Sequence, residues 1–212
     1  ARQNHARHSE ELMLTALRSV SRLAAAAALV AALSACSDSA RTPVPKPDAW
    51  PRINTYSADY RTLDSLGVCL SVNAGADVTV KSTGVNAAAD IAYPRYGAVV
   101  YVSVLNNVAD IRAEVAGRRE RMARNLGDTP AESTPFAAAD SAFTGMVVTA
   151  RSVSQTPVQL VAVDASGRRL VSATAFFSRP VPASALDSIR PVVSALSRDM
   201  LAMAKSLAVC SR

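Results

Sequence analysis

The sequence has 212 residues, half of them hydrophobic, with 23 Lys and Arg against 17 Asp and Glu for a formal charge of +6. That is enough apolar material for one domain with a core, while the basic excess is too small and scattered to mark a nucleic-acid-binding protein. The only histidines are His5 and His8. Both precede an expected cleavage site, so the mature chain lacks the means for Ser-His-Asp catalysis, Cys-His catalysis and histidine metal sites.

Arg18 to Cys36 reads R-S-V-S-R-L-A-A-A-A-A-L-V-A-A-L-S-A-C, a basic stretch, about a dozen apolar residues and then small residues, the layout of a secretory signal peptide. The run is too short to anchor the chain, since a spanning helix needs roughly 20 apolar residues. Residues 1–12 precede Met13, and they are expected to lie upstream of the true start. Leu33-Ser34-Ala35-Cys36 resembles the lipobox of bacterial lipoproteins, so Cys36 is expected to carry diacylglycerol and a further acyl chain such as palmitate. More than one chain matters because a single one holds a protein only marginally, at about 0.8 kcal/mol per buried CH2. The expected organisation is a signal peptide over 1–35, a lipidated cysteine and flexible proline-bearing tether over 36–52, and a globular domain over 53–212. Without residues 1–36, which hold four Arg and two Glu, 19 basic and 15 acidic residues remain, a net of +4.

Within the domain, residues 66–72 and 77–82 read as strands flanking Asn73-Ala74-Gly75, an expected hairpin. Residues 89–93 and 97–104 form a second β-rich pair, interrupted by Pro94-Arg95-Tyr96. Val108, Ile111, Val115, Met122 and Leu126 fall at helical spacing over 107–126, with Asn106 or Asn107 as the expected cap and Gly127 as the stop. Arg112, Arg118, Arg119, Arg121 and Arg124 share that helix with Glu114 and Glu120 and read as its solvated face.

Three further strands are expected over 143–152, 158–164 and 169–178, the last two joined by Ala165-Ser166-Gly167. Residues 184–207 place Leu186, Ile189, Val193, Leu196, Met200, Met203 and Leu207 on one helical stripe, with Ser184 and Asp187 as a capping box and a kink at Pro191. The fold class is therefore α+β: an antiparallel β-sheet packed by two amphipathic helices in a single domain.

The chemistry of the common enzyme classes is missing. There is no C-x-x-C, G-x-x-x-x-G-K or G-x-G-x-x-G motif, and no cofactor or metal is expected. Asp59, Asp64, Asp77, Asp90, Asp110 and Asp140 offer carboxylates for glycosidase-like pairing, but no spacing selects two of them. Lys46, Lys81 and Lys205 sit in the tether, at a strand end and at a helix end, positions that do not suggest a Ser-Lys pair. Cys69 and Cys210 are distant in sequence and expected in an oxidising compartment, either bonded to each other or as separate thiols. Tyr93, Arg95 and Tyr96 form a candidate partner contact, either an exposed recognition corner or a strand end with buried tyrosines.

Several short stretches, in order, resemble the gliding-motility lipoprotein GldD family. Trp50-Pro51-Arg52 followed by Tyr56 is similar to its Pro-Arg-x-x-Tyr opening, and Asp90 to Tyr96 running into Val99–Val104 is similar to its I-x-Y-P-x-Y stretch. Ser172 to Phe177, Pro180, Asp187 to Val192 and Arg198-Asp199-Met200 resemble its closing segments in type and spacing. The family's aromatic-rich stretch before the Cys69 region is absent, and arginines such as Arg118 and Arg119 stand where it has a lysine-histidine pair, which makes this a divergent member.

The resemblance implies a noncatalytic accessory lipoprotein of the machinery for gliding motility and type IX protein secretion. It would be held by its lipid in the cell envelope, at the outer membrane facing the periplasm, with other envelope motility and secretion lipoproteins as partners and no nucleic acid. Docking is expected through an exposed sheet edge or a helix face. The competing expectation is a lipid-anchored periplasmic ligand-binding protein or a carboxylate-based hydrolase.

Overall fold

Alternation of buried and exposed positions runs the length of the strand Asn86–Tyr93, where Ala87, Ala89, Ile91 and Tyr93 point inward. This strand is part of a computed structural model that describes residues 54–210, with the Asp140 side chain excepted. The expected signal segment, Cys36, the tether and Trp50-Pro51-Arg52 lie outside the described residues.

Strands β1 (Tyr60–Leu63) and β2 (Leu70–Asn73) pair antiparallel as a small sheet. The next three strands are β3 (Asp77–Ser82), β4 (Asn86–Tyr93) and β5 (Ala98–Asn106). Helix α1 (Ile111–Leu126) follows, then β6 (Ala131–Ala137), β7 (Phe143–Ala150), β8 (Val158–Asp164), β9 (Arg169–Phe177) and helix α2 (Leu186–Lys205). Strands β3 to β9 form one sheet in the order β3-β4-β5-β9-β8-β7-β6, with every pairing antiparallel. Two meanders are thus joined at β5–β9, and α1 carries the chain from one to the far edge of the other.

The expected α+β class holds, with the strands divided between two sheets. Helix α2 lies against β2, β7 and β8, and its Leu196, Met200 and Met203 join one core with alternate residues of β4, β5, β8 and β9. Fully burying a side chain of this size contributes roughly 1.5–3 kcal/mol. Helix α1 covers part of the opposite face, where Met122 packs with Val161 and Leu170. The strand β8 between the two helices is buried on both sides, which is why its sequence V-Q-L-V-A-V-D lacks a clean alternation.

The structure departs from the sequence expectations in several places, beginning with β1, which was not expected. The residues flanking Asn73-Ala74-Gly75 do not pair with each other: β2 pairs with β1, and β3 pairs with β4. Asn73 is buried there, with its amide donating to Ser57 O at 2.8 Å and to Asp199 Oδ2 at 3.0 Å, so the turn passes the chain from one sheet to the other. Helix α1 starts later than expected and is capped by Asp110, which accepts from Ala113 N at 3.0 Å, whereas Asn107 adopts a positive φ of 59° before it.

Strand β6 (A-E-S-T-P-F-A) was not expected, because it is polar and contains Pro135; it lies at the sheet edge, where a missing N–H is tolerated. The Ser184–Asp187 capping box does not form either. A 3-10 turn over Ala183–Ala185 leads into α2, Ala185 stands at its cap with no side-chain bond, and Asp187 pairs with Arg190 at 3.2 Å.

Candidate functional site

The turn between β4 and β5 is set by its residue types. Pro94 opens a 3-10 turn over Pro94–Tyr96, and Gly97 closes it at φ 58° with its N–H donating to Pro94 O. Gly97 O then accepts Ser178 N at 2.8 Å, tying the turn to the end of β9. This geometry divides the residues of the candidate contact. Tyr93 and Tyr96 are 2% and 9% exposed, while Arg95 is exposed. The corner thus combines a buried aromatic base with one outward cation.

The base is a three-ring cluster. Tyr93 and Tyr96 stack with centroids 5.7 Å apart, and Tyr56 meets both edge-on at 5.5 and 5.0 Å. Tyr96 Oη accepts Tyr56 N at 2.7 Å, and Tyr56 Oη accepts Arg95 N at 3.3 Å. The Arg95 guanidinium lies 4.9 Å from the Tyr56 ring centre, a cation–π arrangement on an exposed side chain.

Beneath the rings lies Asp199 of α2, 4% exposed. Its Oδ1 accepts the Tyr60 hydroxyl at 2.9 Å and both Nε and Nη2 of Arg198 at 3.1 and 3.0 Å, and its Oδ2 accepts Asn73 Nδ2. Arg198 Nη2 reaches further to Tyr56 O at 3.1 Å. Burial first, and then the Asp199 carboxylate, push the Tyr60 and Tyr93 phenols up from their ordinary value. Burial also raises Tyr96. For Arg198 the cost of burial is outweighed by its bond to Asp199, and its acidity falls further. The phenols therefore stay protonated and the Arg198 guanidinium stays charged near neutrality. Such a network positions backbone and rings.

The sequence marks Asn73 as a turn residue and Arg198-Asp199 through the family resemblance, but it assigns no site role to Asp199, Asn73, Tyr60 or Arg198. One signal was present: Asp199 falls between Leu196 and Met203 at helical spacing, on the inward stripe of α2. An acidic residue there must be paired.

Beside the turn is an open groove of about 690 Å³ between Pro94–Gly97 and the β9–α2 connection. Arg95 and Arg179 line it above an apolar floor that includes Tyr96, Phe177, Ile189 and Val192.

The remaining candidates lie elsewhere. Cys69 and Cys210 face each other with Cα atoms 5.2 Å apart and sulfurs at bonding separation, where β2 begins and the chain follows α2. Asp90 pairs with Lys81 at 3.3 Å, Asp110 caps α1, and Asp59 accepts Ser57 Oγ at 2.7 Å, so these three are occupied separately. No cluster of three or more His, Cys, Asp or Glu able to hold a metal occurs among the described residues. The arginines of α1 are mostly outward, with Arg124 paired to Glu120. Arg118 is the exception, in line with Ile111, Val115 and Met122; its Nε is buried, and burial lowers its pKa.

The family model for the gliding motility lipoprotein GldD matches residues 40–209. The chain belongs to this family. No curated protein matches the sequence. The GldD match takes in every element of both sheets and both helices, and membership makes this a gliding-motility lipoprotein associated with the envelope membrane. The GldD-like stretches, separate in sequence, converge on the corner just described: Tyr93–Tyr96 form the turn, Phe177 and Ile189 floor the groove, and Arg198-Asp199 hold the base.

Proposed function

We propose that this GldD-family chain is a noncatalytic assembly lipoprotein of the gliding-motility and type IX secretion machinery. It is anchored through lipid on Cys36 to the outer membrane, faces the periplasm, and docks other envelope lipoproteins through the corner at Tyr93, Arg95 and Tyr96. The observation that carries this reading is the family match over residues 40–209. The corner supports it, because the polar groups of its buried base are bound to one another and its outward features are a cation and a groove.

The sheet edges are less suited to docking. On the edge strand β3, Lys81 and the register shift between Val80 and Ser82 oppose strand addition, and on β6 Pro135 does the same. The tether over 36–52 would raise the effective concentration of the domain near membrane-bound partners.

The test is deletion of the gene in its host, with complementation by the natural chain and by Cys36→Ala, followed by comparison of secreted proteomes and surface spreading. Loss of many secreted proteins, restored by the natural chain and poorly by Cys36→Ala, is the expected result. An intact secretome with altered growth on one nutrient would overturn this reading in favour of a ligand-binding or hydrolytic lipoprotein.

A further inference from the structure

The groove beside the turn has a specific chemistry. Arg95 and Arg179 flank it, neither is in an ion pair among the described residues, and no Asp or Glu lines it. Two unneutralised guanidiniums across an apolar floor favour an anionic occupant that also carries apolar groups. The backbone along one wall is poorly disposed to add a strand. Pro180 and Pro182 have no N–H, and the carbonyls of Phe177 and Arg179 already accept Gln155 Nε2. Recognition must then come from side chains, with guanidiniums reading carboxylates and the floor taking the residues between them.

We propose that this groove docks an extended acidic segment of a partner envelope protein, in which carboxylates engage Arg95 and Arg179 and intervening apolar side chains rest on Val181 and Ile189. A volume of about 690 Å³ suits a few residues of extended chain. Val181 and Ile189 are half-buried and offer apolar surface, while Phe177 and Val192 beneath them, each 4% exposed, are held by the core. The Tyr56 ring under the Arg95 guanidinium restricts that side chain, which reduces the ordering cost of binding. The proposal deepens the docking function above and rests on it for the partner's location.

The test uses the purified full-length lipoprotein in non-ionic detergent and a fluorescein-labelled octapeptide alternating leucine with aspartate, read by anisotropy. The same peptide with lysine for aspartate and a short-chain phosphatidylglycerol are the comparison ligands. The expected result is binding of the acidic peptide alone, weakened by salt, at least tenfold weaker in Arg179→Gln and weaker still with Arg95→Gln added. Arg112→Gln on α1 should bind as the natural chain does. Arg179 is exposed and unpaired among the described residues, so its variant retains the fold, which a thermal melt checks. Equal binding of the lysine peptide, acidic-peptide binding indifferent to both arginines, or capture of the phospholipid in place of the peptide would each overturn the proposal. Absence of acidic-peptide binding also overturns the groove proposal but leaves the deletion phenotype as it was, and an intact secretome leaves the binding result as it was, so the two readings fail separately.

Discussion

The Tyr60 hydroxyl donates to Asp199 at 2.9 Å across 139 positions of sequence, so the first strand and the last helix share one half-buried bond. Asp199 also gathers Asn73 and Arg198, and removing its carboxylate takes an acceptor from three side chains at once. Asp199→Ala is expected to cost about 3 kcal/mol, near the loss typical of breaking a buried charged network. Tyr60→Phe should cost about 1.5 kcal/mol, the worth of one hydrogen bond to a charged group. Urea unfolding midpoints check both, and a larger loss in Tyr60→Phe than in Asp199→Ala would show that Asp199 is not the hub.

The stability of the domain should fall at both ends of the pH scale for separate reasons. Tyr60, Tyr93 and Tyr96 have folded pKa values raised above the ordinary 10.0, mainly by burial. Their contribution is fully present below pH 10.0 and is lost as pH rises through the folded values. Asp164 runs the other way: burial opposes its ionisation, but the Ser166 hydroxyl and the N–H groups of Arg169 and Arg168 hold it below the ordinary 3.8. Its contribution is present above pH 3.8 and is lost as pH falls through the folded value. In urea midpoints taken across pH, Tyr93→Phe should flatten the alkaline arm and Asp164→Asn the acidic arm. An Asp164→Asn curve parallel to the natural one from neutrality to acid would refute the second.

Much of this architecture is legible in the sequence because it follows local rules. Helix α2 is written in its three-four spacing, and the β8–β9 hairpin in Ala165-Ser166-Gly167, where Gly167 takes φ 68°. Strand β6 was hidden because Pro135 and its polar neighbours read as a loop unless the edge position is known. The separation of β2 from β3 was hidden for a similar reason. Asn73 reads as a turn former, and only the distant Asp199 carboxylate explains why its side chain is buried. At the corner, the sequence marks Tyr93, Arg95 and Tyr96, but a long-range network decides which of them face outward. Arg179, 84 positions beyond Arg95 in the numbering, joins it at the groove only through the β5–β9 pairing.

The Cys69–Cys210 pair spans a sequence separation of 141 and ties the carboxyl end beyond α2 to the start of β2. A bond closing so long a loop restricts the unfolded chain substantially, and its removal is expected to cost about 2–5 kcal/mol. Cys69→Ser with Cys210→Ser should therefore lower the urea midpoint, and dithiothreitol should lower that of the natural chain to the same value. Alkylation of both cysteines in the non-reduced, folded protein would show that the bond is not made.

Gly145 lies opposite Ala162 in the β7–β8 ladder, where the strands leave no room for a side chain. A Cβ built on Gly145 would sit 2.1 Å from Val161 O and 2.8 Å from Ala162 Cα, both backbone atoms that cannot rotate away. Since β8 is clamped between α1 and α2, the strand cannot retreat from an added methyl without disturbing both helix contacts. Gly145→Ala is therefore expected to destabilise the domain by about 1–3 kcal/mol, the range of core overpacking, although alanine normally favours a strand over glycine. Gly117→Ala provides the contrast: it lies in α1 with open space around it, so the same substitution should stabilise by roughly 0.5–1 kcal/mol. Thermal melts of the two variants should move in opposite directions, and a stabilised Gly145→Ala would mean that β7 and β8 are further apart than their register here requires.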